Sequence, residues 1–171
     1  MGGQGAGKDG ARLIGRTIRR CFPSSGALSL AVLVSGVGLV AGPGLAHTQS
    51  GALGNGAAST DYYQIICSDD GTGPPASLSV QILDGAPAAA PMVSVQVRSG
   101  LELASSTDPV DGDTTASPLI HVNGGAEVVY EVLVDKSGAG SENYTLTFHC
   151  LTGPNGTGLH TGTDIVTRQN Q

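Results

Sequence analysis

The chain has 171 residues, 27 of them glycine and none tryptophan, with a formal net charge of −6. The charge is split: residues 1–46 carry five basic side chains and one acid (net +4), and residues 47–171 carry three basic side chains and thirteen acids (net −10). After residue 46 this excludes two ordinary-sized domains, argues against a helical bundle, and excludes a nucleic-acid or anionic-lipid surface, which needs clustered Lys and Arg.

The first element in chain order is a leader. Residues 1–26 are basic and glycine-rich, and residues 27–41 form an uncharged apolar run that Gly42-Pro43-Gly44 breaks. Gly44-Leu45-Ala46 then places small residues at −3 and −1 of a cut after Ala46, which completes the layout of an export signal over residues 1–46. A membrane span needs roughly 20 apolar residues, and this run is shorter and interrupted by glycine. The expected product is periplasmic or secreted, with no membrane contact after cleavage. Arg19-Arg20-Cys21-Phe22 resembles the core of a twin-arginine signal, with Pro23-Ser24 where Leu-Lys usually follows. The general secretory route is expected, with the twin-arginine route as the alternative.

Removing the leader leaves two cysteines, Cys67 and Cys150. An even count in an exported domain predicts a disulfide, and neither residue has a neighbouring cysteine with which to build a thiolate metal site. Closing the loop between them stabilises the fold by on the order of 4.5 kcal/mol through lost chain entropy.

Residues 47–60, rich in Gly, Ala and Ser, read as a flexible arm or as an edge segment laid on a domain spanning 61–171. That domain alternates with period two between turn-forming clusters. Asp61–Cys67 puts Tyr63, Ile65 and Cys67 on one face, and Ser77–Asp84 does the same with Leu78, Val80 and Ile82. Met92–Arg98 follows with Val93, Val95 and Val97; Pro118–Val122 is short and ambiguous. Glu127–Val134 aligns Val128, Tyr130, Val132 and Val134, and Asn143–Cys150 aligns Tyr144, Leu146, Phe148 and Cys150. A weak strand closes the chain over Thr163–Arg168. The prediction is an all-β fold: a single antiparallel β-sandwich, jelly-roll or Ig-like, of about seven to eight strands. Both cysteines point inward, so the bridge joins an early strand to a late one.

Asp61-Tyr62-Tyr63, Gly124-Gly125 before Val128-Val129-Tyr130-Glu131-Val132, and Gly138–Asn143 before Tyr144-Thr145-Leu146-Thr147 occur in an order that resembles the bacterial pre-peptidase C-terminal domain. The resemblance covers roughly residues 61–150. It implies a small secreted β-sandwich of the kind appended to exported enzymes, some members of which bind calcium. The chain departs from that pattern in its cysteine pair and in carrying no catalytic domain.

Four histidines follow the leader: His47, His121, His149 and His160. A cut after Ala46 makes His47 the amino terminus, and a terminal histidine offers its α-amine and an imidazole nitrogen to one metal. A further imidazole gives a nitrogen-only set suited to Cu(II). The arrangement is similar to the histidine brace of copper-dependent polysaccharide monooxygenases and of some periplasmic copper carriers. His149 faces away from the core by alternation; His121, in phase with Leu119, reads as a hydrogen-bonded, half-buried residue; His160 follows a glycine-rich turn at the surface. The competing reading is four scattered surface histidines. Asp108, Asp111 and Asp113 lie within six residues with a turn glycine, a pattern that suits Ca²⁺ or simply a solvated acidic turn.

Nucleophile-elbow, zinc-protease and phosphate-loop motifs are missing from the sequence, and the absence of tryptophan argues against a sugar-processing cleft. Two functions are expected. One is a non-enzymatic binding or structural module of the cell envelope, partnered by an envelope protein. The other is a copper protein that stores, delivers or buffers the metal and hands it to a transfer partner. A copper monooxygenase is the third class.

Overall fold

The computed structural model describes residues 47–88, 91–125 and 128–171. The leader, its cut after Ala46, the Arg19-Arg20 pair and Cys21 lie outside the described residues, as does Glu127 at the start of one expected strand. Nine strands occur among the described residues: β1 (His47–Leu53), β2 (Asp61–Ser68), β3 (Ser77–Asp84), β4 (Val93–Ser99), β5 (Glu102–Thr107), β6 (Ile120–Asn123), β7 (Val129–Lys136), β8 (Glu142–Leu151) and β9 (Gly162–Gln169). Among these residues no helix is long and apolar enough to cross a membrane.

The strands form two antiparallel sheets, ordered β1-β8-β3-β6 and β5-β4-β7-β2-β9. The pairs β1–β8, β2–β7, β3–β6 and β4–β5 nest inside one another. Nested pairing is what results when one long hairpin is rolled over on itself, so the sandwich is a jelly roll rather than Ig-like, with β9 added beside β2.

The core follows the period-two alternation. Tyr63, Ile65, Leu78, Val80, Ile82, Val93, Val95, Val97, Tyr130, Val132, Val134, Tyr144, Leu146 and Phe148 are all buried between the sheets. Burying an aliphatic or aromatic side chain contributes about 1.5–3 kcal/mol each, which offsets the cost of ordering so glycine-rich a chain. Cys67 on β2 and Cys150 on β8 are joined across the sheets as a disulfide, with Cα atoms 5.6 Å apart. Beside them runs a buried polar chain. Tyr63 donates to the Tyr144 hydroxyl at 2.6 Å, and Tyr144 donates to Asp61 Oδ2 at 2.5 Å. The other Asp61 oxygen accepts from the Gln171 backbone N–H at 2.7 Å. Burial, and the carboxylate beside it, raise the Tyr144 pKa well above the ordinary phenol value.

Two strands lack an apolar alternation. Residues 47–53 are not a flexible arm: they form the edge strand β1, paired with β8 from His47↔Phe148 to Leu53↔Glu142. Gln49 and Gly51 occupy its half-buried positions, and only Leu53 is fully buried. Gly51 has a steric reason, since a Cβ there would run into the Tyr144 ring. In β5 the inward positions are Ala104 and Ser106, while Leu103 points to solvent.

Candidate metal centre

Strand β8 holds the centre of its sheet, with β3 along one edge and β1 along the other. β1 begins opposite Phe148, so β8 runs three residues past it, through His149, Cys150 and Leu151. The vacated edge is taken by the segment after the Pro154–Gly156 turn. His160 bridges Leu151, the Thr161 N–H donates to the Cys150 carbonyl at 3.0 Å, and the Thr152 N–H donates to the Leu159 carbonyl at 2.9 Å. His47 and His160 therefore stand one after the other along the same edge of β8, beside His149.

The three side chains converge. One ring nitrogen from each of His47, His149 and His160 lies within 4.8 Å of the others, and all three residues are half-buried. The His47 ring stacks on His160 with centroids 5.1 Å apart and planes 9° apart, and on Phe148 at 5.9 Å. His149 meets His160 edge-on at 5.4 Å. His47 Nδ1 and His160 Nε2 are buried without any hydrogen-bond partner. An unpaired buried polar atom is costly, so two of them within a cluster of three imidazoles make this a candidate ligand site.

The electrostatics keep the lone pairs free. Burial lowers the pKa of His149, and the neighbouring His160 and His47 lower it further. His160 is lowered by burial and by His47, with Asp70 opposing. Both shifts favour the neutral ring, the form that binds metal. The base of the site is fixed by covalent and polar contacts. Cys150, next to His149, carries the disulfide and donates its N–H to Thr163 Oγ1 at 3.1 Å. Thr161, next to His160, is fully buried and donates to the Gly73 carbonyl at 2.8 Å.

His121 stays outside this group. β3 separates β6 from β8, and Ser79 is opposite both His121 and His149. Two strand spacings put His121 about 10 Å from His149 along the sheet. It is exposed rather than half-buried, and its Nδ1 is paired with Ser79 Oγ at 2.7 Å.

The acidic loop departs from the expected set. Asp113 is exposed and accepts from the Thr115 N–H at 2.6 Å. Asp108 spends both oxygens on backbone, accepting from Asp84 N–H at 2.8 Å and Val110 N–H at 3.1 Å. Only Asp111 joins other carboxylates, those of Asp84 at the end of β3 and Glu142 at the start of β8. Asp108, Asp111 and Asp113 are therefore not brought together: Asp113 and one Asp108 oxygen accept from turn N–H groups, the other Asp108 oxygen accepts from Asp84 N–H, and Asp111 instead meets carboxylates from strands distant in sequence. The usable signal was phase. Asp84 continues the inward series Leu78, Val80, Ile82, and Glu142 precedes Tyr144 and Leu146 on theirs.

No family model matches the chain, and neither a curated protein nor a solved structure matches it.

Proposed function

We propose that the protein is an exported, non-enzymatic β-sandwich that binds a transition metal through His47, His149 and His160, and that in the processed protein the metal is copper. The observation that carries this reading is the convergence of three histidines from separate segments, two of which hold a buried ring nitrogen without a hydrogen-bond partner. A nitrogen-only donor set suits Cu(II), the divalent ion that such sites hold most tightly in the first-row series. A cut after Ala46 adds the His47 amine as a fourth nitrogen on the same residue. The role that follows is storage, delivery or buffering of copper outside the cytoplasm.

The test is a competitive Cu(II) titration of protein processed to begin at His47, with the terminus verified by sequencing. His47→Ala, His149→Ala and His160→Ala are each expected to weaken binding by at least about tenfold, and His121→Ala to leave it unchanged. Retaining Ala46 should also weaken it by blocking the amine chelate. Unchanged affinity in the His47→Ala/His160→Ala double variant would overturn the metal reading. The chain would then revert to a metal-free binding or structural module of the envelope.

A further inference from the structure

A second group of ligand-type side chains sits at the opposite end of the sandwich. Asp84 closes β3, Asp111 belongs to the loop after β5, and Glu142 opens β8. One oxygen from each lies within 4.8 Å of the others. Asp84 is fully buried and Glu142 is 1% exposed. Their neighbours do not satisfy them: Asp84 Oδ1, both oxygens of Asp111 and both oxygens of Glu142 are buried without a hydrogen-bond partner. Asp84 Oδ2 alone is used, accepting from the Val93 N–H at 2.7 Å.

Among the described residues none of the three carboxylates is in an ion pair; the one ion pair there, Arg98–Glu131, is on the outer face of the other sheet. Lys136 is near enough to favour ionised Glu142, but its ammonium is spent on the carbonyls of Gly54 and Gly140. Asp108 adds a fourth negative charge behind Asp84. Three clustered carboxylates beside a single ammonium leave an excess of negative charge that destabilises a fold, whereas converging, unpaired carboxylate oxygens are what a hard divalent cation requires.

We propose that Asp84, Asp111 and Glu142 form a calcium site that staples the end of β3, the 108–113 loop and the start of β8. Calcium is favoured over magnesium on bond length and hydration. Ca–O bonds of about 2.3–2.6 Å span the observed spread, whereas Mg²⁺ needs shorter bonds and keeps several waters that a buried pocket does not admit. The backbone is already arranged around the carboxylates. The Gly112 N–H donates to the Asp84 carbonyl at 3.3 Å, and the Gly85 N–H donates to the Asn143 carbonyl at 2.7 Å. Gly112 has φ +72°, and a Cβ there would collide with Ala88, so glycine lets the loop close over the site. The site is independent of the histidine centre: Glu142 and His149 are seven residues apart on β8, about 24 Å along an extended strand.

The experiment is calorimetric and thermal titration of the processed protein, stripped with chelator, with CaCl₂ and separately with MgCl₂. It is repeated in the His47→Ala/His160→Ala background so that failure of the copper reading does not affect the result. One Ca²⁺ per chain is expected, with a rise in melting temperature of at least about 5 °C at saturation and a smaller response to Mg²⁺. Glu142→Gln should abolish the response while raising the melting temperature of the calcium-free protein, because it removes a buried carboxylate that has no hydrogen-bond partner and lies beside two others. Asp113→Asn should respond like the parent. If Glu142→Gln does not fold, Asp111→Asn, in the half-buried loop, serves as the second variant. No calcium shift in the parent at millimolar concentration would overturn the proposal, and so would an equal shift in Glu142→Gln or Asp111→Asn.

Discussion

Reducing the Cys67–Cys150 bridge tests how much of the fold's stability comes from covalent constraint. The two residues are 83 apart in sequence and join β2 of one sheet to β8 of the other. Cross-linking a loop of that size removes chain entropy from the unfolded state worth about 4.5 kcal/mol. A domain of this length is stable by roughly 5–15 kcal/mol in total, so reduction should take away between a third and most of it. The folded state has little reason to offset the loss. Cys67 is 1% exposed and Cys150 0%, so the reduced thiols stay packed among Ile65, Leu78 and Tyr130 rather than gaining hydration. The assay is urea unfolding of oxidised and reduced protein, followed by circular dichroism. Reduction should lower the unfolding free energy by about 3–4.5 kcal/mol and raise the urea dependence, because the freed chain expands further. Cys67→Ala/Cys150→Ala should do the same, plus about 1–2 kcal/mol for the buried volume removed. A loss under about 1 kcal/mol with unchanged urea dependence would refute the entropic account.

Three further outcomes follow from the same geometry. Tyr144→Phe leaves Asp61 Oδ2 without its donor in a fully buried site and should cost about 1–3 kcal/mol in denaturant unfolding. Gly51→Ala drives a methyl group into the Tyr144 ring and should lower the melting temperature through a loss of about 1–3 kcal/mol, more than expected for an edge strand. Asp135 is a pH case: burial raises its carboxyl pKa, against a hydrogen bond from Gln96 at 2.9 Å. The native chain therefore takes up this proton before the unfolded chain does. The ionised form costs stability above the folded pKa, and that cost is relieved as pH falls through it. Asp135→Asn keeps an acceptor for Gln96, so it should be at least as stable as the parent at neutral pH and should gain less on acidification.

What the sequence made legible was the inward face. The runs Tyr63-Ile65-Cys67, Leu78-Val80-Ile82, Val93-Val95-Val97 and Tyr144-Leu146-Phe148-Cys150 alternate cleanly, and all of them are core. Edge strands β1 and β5 were harder to read, because each covers only part of the core and packs it with Gln49, Gly51, Ala104 and Ser106. Local chemistry singled out His47, His149 and His160 but could not separate them from His121. That separation depends on β3 lying between β6 and β8, a fact of long-range pairing. The acids show the same limit. Asp108, Asp111 and Asp113 are close in sequence, yet Asp108 and Asp113 cap turns, while Asp84 and Glu142 reach Asp111 from strands 58 residues apart in number.

The placement of β1 also bears on the order in which the molecule is assembled. Its register with β8 joins residues 47–53 to residues 142–148, the widest separation in the nested set. Contacts of that span require the greatest loop-closure entropy before they return any energy, so they form late unless something shortens the loop. The Cys67–Cys150 bridge shortens that loop, and β8 is held independently by β3 on its other edge, so the place of His149 does not depend on β1. The histidine cluster is therefore completed only once β1 has docked: a chain with β1 undocked brings His149 and His160 together without His47.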